Sequence, residues 1–146
     1  MRVVVDTNII FCALLNTSGH FGKILIHFGS KADFYSCNFL LIELASLHLK
    51  LKKLTKLSSS NLGELIALVT KKEKFINERL IPERSYSFAQ KQLAGIDEKD
   101  IPFLALAHFM KARLWTGDKK LDNAIAGQSA VKRIDSRQIL SYLQRL

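Results

Sequence analysis

The chain opens on an uninterrupted β-branched run, Val3 to Val5, behind Arg2. Such a run, bounded by polar residues, predicts a strand buried on both faces. It ends in Asp6-Thr7-Asn8, and Ile9 to Leu15 then reads as a helix that Thr7 or Asn8 can cap. A second helix is expected through Lys23 to Phe28, broken by Gly29 and Ser30. Phe34 to Cys37 predicts the second strand, and Asn38 is placed to cap a helix from Phe39 to about Lys53. That helix is apolar nearly all round in its first turns, so it is expected to be largely buried or to form an interface. Ser58 to Asn61 reads as a loop with a cap, and the next helix as running to about Lys74, with Leu62, Leu65, Ile66, Leu68 and Val69 at helical spacing. These two helices suggest a hairpin standing off a sheet.

The second half repeats the alternation. Phe75 to Ile81 is ambiguous, with a short strand expected at Arg79-Leu80-Ile81. Pro82 suits the start of a helix that runs to Leu93 and stops at Ala94-Gly95. Phe103 to Ala107 forms a small, apolar helix body suited to close packing on a sheet. Arg113 to Thr116 is strand-like, Gly117 turns the chain, and Lys119 to Ala126 reads as a short helix or loop. Val131 to Ile134 is the last expected strand; Asp135 or Ser136 caps a final helix, Gln138 to Leu143. Strands alternating with helices give an α/β fold with a parallel sheet and right-handed crossovers. At 146 residues, 48% hydrophobic, the chain suits one domain over residues 1–146 with its own core.

Charge narrows the function classes. Lys and Arg total 22 against 13 acids, a net +9 that attracts polyanions; a plain solubility charge is the bland alternative. No apolar stretch is long enough to cross a membrane, and Asp6 falls where a signal peptide needs its apolar run, so the expectation is cytoplasmic. Cys12 and Cys37 lie in apolar segments and read as reduced core thiols. The four histidines are scattered on helices, and neither a Cys–His cluster nor a G-x-x-x-x-G-K loop is present. Nothing supports a histidine nuclease, a Ser/His/Asp hydrolase or a P-loop enzyme.

The acids carry the chemistry. Asp6 and Asp118 each follow a strand, and C-terminal strand ends of a parallel sheet share one edge. Glu43 is the only charge in its apolar helix, where an unpaired carboxylate needs a cation, a metal or a proton. In I-D-E-K-D-I-P, Asp97 and Asp100 share a face of a helical turn, whereas Glu98 points elsewhere. Each acid also has a structural reading: Asp6 as a cap or turn residue, Asp97 as an N-cap, Glu43 as a lysine partner. Taken together, Asp6, Glu43, Asp100 and Asp118 can converge. Clustered carboxylates repel, and a divalent cation removes that cost. All-oxygen ligands select Mg²⁺ or Mn²⁺ over zinc, and such ions activate water and polarise phosphoryl oxygens.

At these residues the sequence resembles the PIN-domain nucleases. V-V-V-D-T-N-I-I resembles the family's opening strand and first acid, Glu43 in L-L-I-E-L its second acid, D-I-P-F-L-A-L-A its third-acid helix, and L-W-T-G-D-K-K-L its fourth-acid segment. The resemblance implies a three-layer α/β/α sandwich with a mainly parallel sheet, as a single PIN-like domain. It also implies a ribonuclease that hydrolyses single-stranded RNA with Mg²⁺ or Mn²⁺ held by Asp6, Glu43, Asp100 and Asp118; Asp97, an acid that many relatives lack, is a secondary metal-ligand candidate. Asn8 and Thr116 would support the site, and Asp122 sits where some relatives carry a further acid. Small relatives of this size are often toxins of bacterial toxin–antitoxin pairs, of the virulence-associated protein C type. They usually dimerise and are inhibited by a cognate antitoxin. The implied partners are therefore RNA, a second copy of the chain and an antitoxin, with no membrane. The alternative is a catalytically inactive PIN-like module that binds nucleic acid; a third reading makes the acids mere caps and surface charges.

Overall fold

The computed structural model describes residues 1–28 and 30–146. Gly29, expected to break the second helix, lies outside the described residues; that helix already ends at His27, with Phe28 as its C-cap. The strands are β1 (Arg2–Val5), β2 (Asp33–Cys37), β3 (Glu73–Ile76) and β4 (Arg113–Trp115). They form one parallel sheet in the order β3-β2-β1-β4. The helices are α1 (Thr7–Leu15), α2 (His20–His27), α3 (Phe39–Ser46), α4 (His48–Thr55), α5 (Ser59–Thr70), α6 (Glu83–Gln92), α7 (Ile101–Met110), α8 (Lys119–Ile125) and α9 (Ser136–Gln144).

The sheet lies in the middle of three layers. Val3, Val4 and Val5 are fully buried, as a central parallel strand covered on both faces requires. α7 packs across β1, β2 and β4 and is covered in turn by α6. Its five consecutive buried residues, Phe103 to Ala107, occupy that sandwiched position. On the other face, Trp115 meets Phe34 of β2 and Phe21 of α2, with ring centroids 6.0 and 5.8 Å apart. There α2 packs on α1, α5 and α9. Gly22 lets α2 approach the preceding turn, since a Cβ at this position would lie 2.2 Å from the Thr17 carbonyl oxygen. Among the described residues no single helix is long and apolar enough to cross a membrane.

Several expectations about elements are corrected. The helix expected over 39–53 breaks at Leu47 into α3 and α4. Ser46 Oγ donates to the Glu43 carbonyl at 2.7 Å, a back-bond that bends helices. α3 is also less buried than its composition suggests: only Leu40 and Leu44 are covered, while Ile42 is 64% exposed. Asn38 makes no side-chain cap; Glu78 Oε1 accepts the Phe39 N–H instead, at 2.6 Å.

The helix expected to reach Lys74 ends at Thr70, and Glu73–Ile76 is the edge strand β3. There Phe75 and Ile76 gain a ladder with β2. Arg79-Leu80-Ile81 is no strand, because Asn77 Oδ1 accepts the Arg79 N–H at 2.9 Å and closes the 3-10 turn Glu78–Leu80. The strand expected at Val131–Ile134 shrinks to a single bridge, Leu114 with Arg133. The Gln128 amide occupies both backbone groups of Val131, at 2.6 and 2.9 Å, and so withholds them from the ladder.

Candidate metal centre

β1 lies between β2 and β4, so the chain leaves it first to one side and later to the other. In a parallel sheet that reversal opens a crevice at the C-terminal strand ends, where ligands bind. Asp6 stands directly after β1, and Asp118 follows β4 across the Thr116-Gly117 turn. α7 delivers Asp100 to the same edge as its N-cap residue. α3 brings in Glu43, which lies midway along that helix.

Each acid is oriented by a neighbour. Asp6 caps α1, its Oδ1 accepting the Ile9 N–H at 3.1 Å, while Oδ2 accepts the Thr116 hydroxyl. Thr116 Oγ1 in turn accepts the Asp118 N–H at 3.0 Å, so one hydroxyl ties the ends of β1 and β4 together. Asp118 Oδ1 caps α8 through the Lys120 and Leu121 N–H groups, at 2.8 and 3.4 Å. Thr7 donates to Glu43 Oε1 at 2.6 Å. Asp97 caps a 3-10 turn over Glu98–Asp100. In such a turn residues three apart eclipse, and Asp97 and Asp100 reach the same hollow for that reason rather than through an α-helical face. Glu98 is exposed and does not line it.

The hollow is small, about 180 Å³, and is lined by Asp6, Glu43, Asp97, Asp100 and Asp118 with Thr7, Asn8, Lys99 and Phe103. Its electrostatics record the convergence. Burial pushes Asp6, only 3% exposed, up to about 6, against the pull of its bonds from Thr116 and Ile9; Asp118 and Glu43 add repulsion. Asp100 is raised to about 7, first by burial and then by Asp118, Asp97, Asp6 and Glu43. Its Oδ2 is buried without a hydrogen-bond partner. An orphaned carboxylate oxygen among mutually repelling acids calls for a cation, and the donor set is all oxygen, the kind that suits Mg²⁺ or Mn²⁺. As the side chains stand, no three His, Cys, Asp or Glu residues among those described form a preformed metal cage. Chemically, the residues fit such an ion through the oxygens that their orienting bonds leave free.

The remaining candidates divide. Asn8 lines the hollow and stands beside Gly117, where a Cβ would come within 3.1 Å of its amide. Thr116 orders Asp6 and Asp118 without lining the hollow itself. Asp122 is turned away and pairs with Arg133 at 2.7 Å. Sequence reasoning treated Thr7 only as a capping residue and passed over Lys99 and Phe103. Lys99 was legible in D-E-K-D as the one cation among the acids, whereas the Thr7–Glu43 bond joins residues 36 apart and has no local signal.

The comparisons agree with this architecture. A family model described as the PIN domain matches residues 4–138. No curated protein sequence matches the chain significantly. Among solved structures, VapBC2 from Rickettsia felis, bound to a DNA fragment from its promoter, is similar with a TM-score of 0.72 at 16% identity, covering 92% of this chain and 98% of that one. PAE2754 from Pyrobaculum aerophilum gives 0.68 at 16% identity over 100% and 91%. VapBC-1 from nontypeable Haemophilus influenzae gives 0.63 at 19% identity over 94% and 99%. These likenesses concern the fold. The family match spans all but a few residues at each end, and the chain belongs to the PIN domain family.

Proposed function

We propose that this chain is a divalent-metal-dependent endoribonuclease that cleaves single-stranded RNA, acting as a single PIN-like domain over residues 1–146. One observation carries the reading: five carboxylates line one small hollow at the crevice between β1 and β4, and one of them, Asp100, has a buried oxygen with no partner. PIN-domain proteins are generally nucleases, which supports the enzyme class. In the reading, Asp6, Glu43, Asp100 and Asp118 hold Mg²⁺ or Mn²⁺, with Asp97 at the rim as a further ligand. Asn8 and Thr116 support them, and Asp122 acts at most through its pair with Arg133.

The chain's own residues set the stage for hydrolysis. Thr116 and the Ile9 N–H fix both Asp6 oxygens while leaving lone pairs free. Thr7 fixes one Glu43 oxygen, and α8 fixes one of Asp118. The second oxygen of each stays available to a cation. When bound, a divalent ion supplies charge neutralisation, a polarised phosphoryl oxygen and a water of lowered pKa. Lys99, which lines the hollow, would in this reading meet the phosphate that the acids alone would repel.

Two of the similar structures are VapBC assemblies, which supports reading this chain as the toxin of a toxin–antitoxin pair with an antitoxin partner. Leu41, Ile42 and Leu49, exposed by 42, 64 and 79% on α3 and α4, support a homodimer. The test is cleavage of single-stranded RNA by the purified chain with Mg²⁺ or Mn²⁺ against chelator. Asp6→Asn and Asp118→Asn should each lower the rate by at least about a hundredfold. Salt-sensitive RNA binding that ignores chelator, with no cleavage, would instead identify an inactive binding module.

A further inference from the structure

At the opposite edge of the sheet, where β4 begins, lies a hollow of about 560 Å³ with a different character. Arg84, Lys111, Arg113 and Lys132 line it. None of the four forms a salt bridge among the described residues. A helix C-terminus attracts one cation, and Lys111 at the end of α7 needs no other reason. The other three come from α6, β4 and the segment that bridges to β4, and the helix end does not account for them. The wall holds firm: Ser85 is fully buried and bonds His108 Nδ1 at 2.8 Å, and the His108 ring stacks on Phe88 at 4.4 Å. Beside it Phe109 lines the hollow and is 37% exposed.

A second hollow, about 500 Å³, shares Arg113 and Lys132 with the first and extends to Thr116, whose hydroxyl donates to Asp6. The flank of β4 is therefore concave from the basic pocket to the edge of the acid site. Arg113 and Thr116 are three residues apart along the strand, roughly 10 Å. We propose that the pocket of Arg84, Lys111, Arg113 and Lys132 binds the phosphates of a single-stranded RNA segment beyond the cut site, with one base stacked on Phe109. Unpaired cations along a groove beside an exposed aromatic ring are what sequence-tolerant single-strand binding requires. The inference rests on the ribonuclease reading for its direction, since it carries the strand from the acid site to the far edge of the sheet.

Fluorescence anisotropy with a labelled single strand of about 12 nucleotides, in chelator, reads binding without chemistry. Lys111→Ala with Lys132→Ala should reduce the slope of log affinity against log salt by about 1.4, two contacts at about 0.7 each. Phe109→Ala should weaken binding about tenfold with the slope unchanged, and Phe109→Trp should restore it. Lys52→Ala with Lys53→Ala on α4, an equal loss of charge, should leave the slope as it was. Unchanged slopes in the pocket variant, equal losses in the α4 variant, equal affinity for duplex RNA, or no RNA binding at all would each overturn the proposal. Melting temperatures identical to wild type confirm that these surface substitutions leave the fold intact. Absence of cleavage by a wild-type chain whose pocket variants shift the slope removes the nuclease reading and leaves the pocket standing; the converse removes only the pocket.

Discussion

Asp100 and Asp6 are strained in the same sense: burial and neighbouring acids disfavour the charges that a metal site needs. The strain should be measurable without substrate. Above pH 7, and in chelator, Asp100→Asn should raise the melting temperature by about 2–4 °C, because it removes one repelling charge. The wild type should gain stability when Mg²⁺ or Mn²⁺ is added, and this variant much less. A variant that melts early and still responds to divalent ions would make Asp100 a structural residue. Glu73 poses a separate case, far from the acids in sequence and on the edge strand. Both of its oxygens are buried without partners, and burial raises it from 4.5 to about 8. The folded chain thus keeps a proton that the unfolded chain has lost between those values. Stability from this group is full below about pH 4.5 and falls as pH rises toward 8, by an amount on the order of a few kcal/mol. Denaturant midpoints against pH should show that decline, and Glu73→Gln should flatten it; identical profiles would mean that Glu73 reaches solvent or a partner. The acids of the site were legible as residue types because a lone carboxylate in an apolar segment is conspicuous. The orphaned oxygen of Asp100 and the burial of Glu73 were not, since they depend on packing by distant elements.

At the scale of elements, β1 was readable from its β-branched run and β4 from the strand-like Leu114-Trp115 before the Gly117 turn, and the helices from periodicity and caps. Asp135 fulfils its expected role in a full capping box with Gln138. What escaped were cases where a side chain competes for the backbone. Ser46 bends one expected helix into two, Asn77 closes a 3-10 turn where a strand was expected, and Gln128 keeps Val131 out of the ladder. β3 was hidden because its propensity is weak and its partner, β2, supplies the ladder. Gly22 also passed unnoticed, for a helical glycine looks merely tolerated until the approach of Thr17 is known. Gly22→Ala should force α2 off its turn and cost about 1–3 kcal/mol, seen as a lowered denaturant midpoint at unchanged slope. A neutral effect would show that the backbone yields at that corner.

Across the whole molecule, parallel topology does most of the assembly. Asp6 and Asp118, at opposite ends of the chain, become neighbours because β1 and β4 pair and Thr116 ties their ends. The order of acids along the sequence was enough to expect their meeting at one sheet edge. It was not enough to place Asp122, which the fold turns toward Arg133, or to find Lys99 beside the carboxylates. The charge of +9 was compatible with a polyanion partner or with plain solubility and located no site, while only the fold gathers Arg84, Lys111, Arg113 and Lys132 at the edge opposite the acids. The fold thus separates acids at the C-terminal edge from bases at the N-terminal edge, a cation being proposed for the first and phosphate for the second. The proposed function depends on a divalent ion held among Asp6, Glu43, Asp100 and Asp118. Anomalous scattering from crystals grown with Mn²⁺ tests this directly. A peak within about 2.0–2.6 Å of carboxylate oxygens of these residues is expected, and it should vanish in Asp6→Asn. No peak among them at saturating Mn²⁺, or one that survives the loss of Asp6, would contradict the metal centre.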